Sequence, residues 1–89
     1  MSVYVDNARL SYRGMVMCHM TADSTSELLA MADRIGVQRE WIQDGGTYRE
    51  HFDICLAKRA LAIKAGAAVV SRRELGRIII RKRTSTTGA

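Results

Sequence analysis

Three times this chain places a hydroxyl residue three positions before a glutamate: Ser24-x-x-Glu27, Thr47-x-x-Glu50 and Ser71-x-x-Glu74. At that spacing the hydroxyl and the carboxylate together satisfy free N–H groups in the first turn of a helix. Three helix starts, each set off by short apolar segments, leave few folds open to 89 residues. A chain of that length makes one domain near the lower limit of what a single core can stabilise.

The first start is followed by Leu28, Met31, Ala32 and Ile35, an i, i+3, i+4, i+7 stripe, and Gly36-Val37 fits a left-handed stop with an apolar contact after it. The second follows the break at Gly45-Gly46. Asp53 offers another N-cap, so this helix begins at Thr47 or at Asp53. Phe52, Leu56, Ala60 and Ile63 then fall on one face, and Ile54, Ala57, Leu61 and Ala65 on the opposite one. A helix apolar on two sides is wedged between elements or against a partner subunit, which predicts a homodimer. Gly66 ends it. The third start leads into Leu75, Ile78 and Ile79, although the β-branched run Ile78-Ile79-Ile80 also fits a terminal strand.

Between these signals lie four strand-like segments: Val3 to Asp6, Met15 to Met20, Arg39 to Gln43 and Ala67 to Val70. Residues 8–14 read as a connection, too short for a helical crossover, so the first two strands are antiparallel if they pair. The order strand, strand, helix, strand, helix, strand, helix predicts an α/β domain over 1–83, a small and mainly parallel sheet of roughly four strands with three helices. The small polar residues 84–89 read as a flexible tail. No apolar run is long enough for a membrane span, and Met-Ser-Val-Tyr-Val-Asp has no signal-peptide pattern. Two cysteines without an export signal imply reduced thiols in a cytoplasm.

The net charge of +5 is unevenly placed. Residues 1–44 carry −2 and residues 45–89 carry +7, with Arg72, Arg73, Arg77, Arg81, Lys82 and Arg83 opposed only by Glu74 between 71 and 83. Such an end attracts polyanions, nucleic acid first among them, although cations near a helix terminus also offset its dipole.

A parallel sheet opens its ligand site at the carboxyl ends of its strands. In this chain that rim collects His19, Asp23, Gln43, His51, Asp53, Ser71 and Arg72. His19, His51 and Asp53 suit a divalent metal with an open position, and Asp23 then orients water or ligand. The competing reading makes His19 a packed strand residue and Asp23 and Asp53 helix caps. Arg59, between Leu56 and Ile63 on an apolar side, requires a carboxylate such as Asp6, Asp23 or Asp33, or an anionic ligand. Trp41, Tyr48 and Phe52 suit base stacking, though a strand Trp is commonly core. No Gly-x-Ser-x-Gly, Walker loop or GxGxxG occurs.

Val-Tyr-Val-Asp at 3–6, Met-Cys-His-Met-x-Ala-Asp at 17–23, Ala-Asp-Arg-Ile-Gly at 32–36, His-Phe-Asp at 51–53 and Lys-Arg-Ala-Leu-Ala at 58–62 occur in that order. In these motifs the chain resembles a family of short bacterial and phage proteins labelled only as a domain of unknown function. The resemblance runs from Val3 to about Glu74 and leaves out Arg77 to Ala89. It implies that His19, Asp23, His51, Asp53, Lys58 and Arg59 belong to the family pattern, and it implies no activity. The basic C-terminal half and the rim of helix N-termini give the first expectation, an accessory protein that binds an anionic ligand, nucleic acid foremost. Lys58, Arg59, Ser71 and Arg72 are its ligand contacts, and Arg73, Arg77, Arg81, Lys82 and Arg83 its basic end. The second is a metal-dependent phosphoester hydrolase using His19, Asp23, His51 and Asp53. The third is an inhibitor or adaptor of a host protein.

Overall fold

The computed structural model describes residues 2–87, with side chains to Arg83. The elements are β1 (Val3–Val5), β2 (Leu10–Tyr12), β3 (Met15–Ala22), α1 (Thr25–Ile35), a single 3₁₀ turn (Arg39–Trp41), β4 (Phe52–Cys55), α2 (Leu56–Lys64), β5 (Ala68–Val69) and α3 (Arg72–Thr87). No helix among the described residues is long and apolar enough to cross a membrane.

The α/β class and the three helices are present, but the sheet has five strands and is mostly antiparallel, which corrects the expected parallel arrangement. Strand β3 is its axis. On one edge it pairs with β4, through Cys18 with Ile54, His19 with Asp53 and Met20 with Phe52. On the other edge it pairs with β2 near its start and with β1 near its end. Only β1 and β5 run parallel. A two-residue hairpin turn, Arg13-Gly14 with φ of 48° and 79°, joins β2 to β3. Positive φ at both positions matches the twist of paired strands.

Two further expectations change. Arg39 to Gln43 is not a strand: a 3₁₀ turn forms instead, and only Gln43 is bridged, to His51. Its apolar pair, Trp41 and Ile42, is adjacent rather than alternating, so no single sheet face could bury both. The segment 47–55 is not the start of a helix either. Glu50 closes a turn on the Thr47 carbonyl, and Phe52 and Ile54 alternate with Asp53 and Cys55 as a strand does. The two-faced helix behind the homodimer expectation is thereby divided between β4 and α2.

The period of β3 sorts the layers. Cys18, Met20 and Ala22 face a core completed by Val3, Val5, Phe52 and Ile54 and covered by α1 and α2. Helix α1 follows its signals closely. Ser24 accepts from the Glu27 N–H, Gly36 is left-handed at φ 80°, and Val37 N–H returns to the Ala32 carbonyl. Helix α3 covers the opposite face, where Met17, His19 and Thr21 point, and it buries Leu75 and Ile78 there. The Ser71–Glu74 capping box forms in both directions, so the third segment is a helix straight through its isoleucines. Residues 84–87 continue the backbone of α3, and 88–89 of the expected tail lie outside the described residues.

Candidate functional site

Val5 pairs with Met20 and Leu10 with Met17, so four residues on the β1–β2 side lie opposite Cys18 and His19. A bulge of this kind deprives a central backbone N–H of its ladder acceptor. Asp6 replaces it. The fully buried Asp6 carboxylate accepts from the His19 backbone N–H at 2.8 Å, from Ala8 N–H at 3.2 Å and from the His19 ring at Nδ1, 2.7 Å. Arg59 Nε donates to the Asp6 carbonyl at 2.7 Å and fixes the same residue from behind. The partner Arg59 requires is thus a backbone oxygen rather than a carboxylate, while Asp33 pairs with Arg39 instead. The Arg39 hydrogen bond holds the Asp33 carboxyl below its ordinary range.

His51 enters from the other side of β3. It precedes β4, and its Nδ1 lies 2.8 Å from the Arg49 carbonyl, which can only accept, so Nδ1 carries the proton. With Nδ1–H held in both rings, both Nε2 atoms keep their lone pairs in the neutral form. The ring centroids are 5.7 Å apart and edge-on. Asp53 stands between them, its Oδ1 3.7 Å from each Nε2 and its Oδ2 accepting from Gln43 at 2.6 Å. At 3.7 Å neither imidazole is hydrogen-bonded to Asp53.

Of the residues expected on one rim, His19, Gln43, His51, Asp53 and Arg72 therefore meet, but on a sheet face and through the His19–Asp53 register rather than at strand ends. Asp23 does not join them. Four residues further along β3, about 13 Å at strand rise, it accepts from Ser2 N–H and the Tyr4 hydroxyl, with Arg81 at 3.8 Å. Among the described residues no group of three or more His, Cys, Asp and Glu is set to hold a metal ion, so the His19, His51, Asp53 ligand set is not preformed. Ligand atoms around one tetrahedral zinc are about 3.4 Å apart, tighter than the separations here. Cys18 is a buried core residue, and Cys55 is half-buried on β4.

The expected cations divide. Lys58 donates to the Ile35 carbonyl at 2.9 Å and caps α1. Ser71 caps α3. Arg81, Lys82 and Arg83 turn toward Asp23, Thr21 and the Tyr48 ring. Burial lowers the Lys82 pKa, against the pull of Glu50 and Asp23. Glu50 itself is buried and accepts from Thr25 and Gly46. Arg72 lines a cavity with both histidines, and Arg73 and Arg77 line one with His51.

Three cavities adjoin in a row. A groove of about 940 Å³ is walled by Tyr12, Arg13 and Trp41 over a floor of His19, Gln43 and Asp53. A cleft of about 220 Å³ lies between Asp6, His19, His51 and Arg72. A third, of about 690 Å³, holds His51, Arg49, Arg73 and Arg77. Trp41, for which base stacking stood against a place in a strand core, is 61% exposed, and Tyr12 is 56% exposed. Sequence reading missed Asp6 as the anchor of His19, together with Tyr12. Asp6 followed directly by Asn7, just after an apolar strand, is the one signal that points to the bulge.

The family DUF4031, described as a protein of unknown function, matches residues 3–82. The match takes in every residue of the His19–His51 site and reaches through Lys82, so it covers more of the basic helix than the motif resemblance did. No curated protein and no solved structure matches the chain.

Proposed function

We propose that this chain, which belongs to the DUF4031 family, binds single-stranded nucleic acid along the row of cavities over the His19–His51 face. The observation that carries this reading is the sharing of walls. His19 lines both the aromatic groove and the central cleft, and His51 lines both the cleft and the basic cavity. One strand entering the groove would meet a stacking surface first and the arginine cluster last.

The chemistry at each end suits that direction. Large aromatics are mostly buried in a folded chain, so an exposed Trp beside an exposed Tyr is informative. A base stacked on such a ring contributes about 1–3 kcal/mol without regard to sequence. Arg13 lies over the Tyr12 ring at 5.4 Å and adds a cation at the groove mouth. Arg49, Arg73 and Arg77 supply charge for phosphates at the far end. Arg81, Lys82 and Arg83 face the chain's own acidic and polar groups and are left out of the interface.

Trp41 is the only tryptophan, so its fluorescence reports the groove directly. Titration with a single-stranded oligonucleotide should quench it, and added salt should restore it. Emission indifferent to the oligonucleotide would refute binding at this face.

A further inference from the structure

We infer that the same face cleaves RNA, transferring a phosphodiester from the 5′-oxygen of one nucleotide to the 2′-oxygen of its neighbour; the inference rests on the single-strand-binding reading. The two imidazoles line one cleft, their Nε2 atoms each 3.7 Å from the same Asp53 oxygen, with the Nδ1 positions already occupied by Asp6 and by the Arg49 carbonyl. One base and one acid, each with a fixed tautomer, are all that transesterification by an internal nucleophile requires. The nucleophile is the substrate's own 2′-hydroxyl.

His19 is the base. A buried carboxylate behind Nδ1 holds the ring and stabilises the imidazolium that forms, the part an aspartate plays behind a catalytic histidine. Its Nε2 takes the 2′-hydroxyl proton as the O2′–P bond forms and the P–O5′ bond breaks. His51 in its imidazolium form gives its Nε2 proton to the departing O5′. The products are a 2′,3′-cyclic phosphate and a 5′-hydroxyl. No electrons are exchanged, and solvent returns the proton from His19 to His51. Arg72, which lines the cleft with both rings, faces the charge developing on the phosphoryl oxygens.

The charged groups facing His19 are Asp6, Arg13, Asp53 and Arg72. His51 faces Asp53 and Arg72, and in the next cavity Asp44, Arg49, Arg73 and Arg77.

The test uses the full chain, a labelled single-stranded RNA and its fully 2′-O-methylated counterpart, both in EDTA. The RNA should be cut to fragments ending in a cyclic phosphate, and the methylated strand should bind uncut. His19→Gln and His51→Gln should each lower the rate by about 10² or more, with circular dichroism unchanged. Binding of the methylated strand without RNA cleavage overturns the cleavage and leaves the binding reading intact. Failure to bind either strand overturns both. Cleavage that survives both substitutions, or that stops in EDTA, also overturns the proposed pair.

Discussion

The Asp6 carboxylate holds His19 twice, at the backbone N–H and at ring Nδ1, at 2.8 and 2.7 Å. One side chain thus repairs the bulged ladder and selects the tautomer of the ring above it, so a fold requirement and a chemical one coincide. Asp6→Asn separates them. An amide can still accept from the backbone N–H, but its NH₂ would face Nδ1 and drive the proton to Nε2. We expect a folded protein whose imidazole ¹⁵N shifts show the other tautomer and whose cleavage of RNA is lost. Asp6→Ala should cost more stability, about 1–3 kcal/mol for each buried donor left unpaired, read in a urea melt.

Lys58 illustrates what charge alone conceals. In sequence it was a ligand contact, whereas its ammonium closes the end of α1 on the Ile35 carbonyl. Lys58→Met should lower stability by about 1 kcal/mol and leave oligonucleotide affinity unchanged. A loss of affinity at equal stability would return the residue to the binding surface.

Much of the helical framework was legible in sequence, because capping boxes and a left-handed glycine are local chemistry. Gly36-Val37 and Ser71–Glu74 form as their spacing predicts, and Ser24 caps the Glu27 N–H while the Glu27 carboxylate accepts from the Ser24 hydroxyl. The Thr47 signal misled because the same hydroxyl–glutamate spacing also suits an isolated turn. Strand partners were not legible. Arg13-Gly14 lacks the Asn-Gly or Asp-Gly signature of a tight hairpin, so β2 read as a connection. Phe52 and Ile54 fit a two-residue and a 3.6-residue period equally over so short a run. The convergence of His19, His51 and Asp53 was expected from a parallel sheet, and an antiparallel register produces it instead.

The capping box of α3 gives a pH dependence. Hydrogen bonds from the Ser71 backbone and side chain hold the Glu74 carboxyl below its ordinary value of 4.5. A depressed folded pKa means that the contribution is present above 4.5 and is lost as pH falls through the lower folded value. Glu74→Gln, which removes the titrating group, should therefore flatten the decline in stability below that pH, with little change in shape near neutrality. Thermal melts of both proteins across the acid range measure it.

Asp53 places a negative charge 3.7 Å from both Nε2 atoms, on the path proposed for a phosphate. Asp53→Asn keeps an acceptor for Gln43 and removes that charge. Affinity for a single strand should rise by about 1 kcal/mol, or roughly fivefold, at low salt. Fluorescence anisotropy of a labelled, 2′-O-methylated oligonucleotide shows whether it does.

The most direct test of the central claim is the salt dependence of that anisotropy for the wild type and for Arg73→Gln/Arg77→Gln. The logarithm of affinity should fall linearly with the logarithm of salt concentration between about 50 and 200 mM, and losing two phosphate contacts should flatten the slope by roughly 1.4. A wild-type affinity that does not change across that range, or a slope identical in the double variant, would contradict a nucleic-acid path over the His19–His51 face.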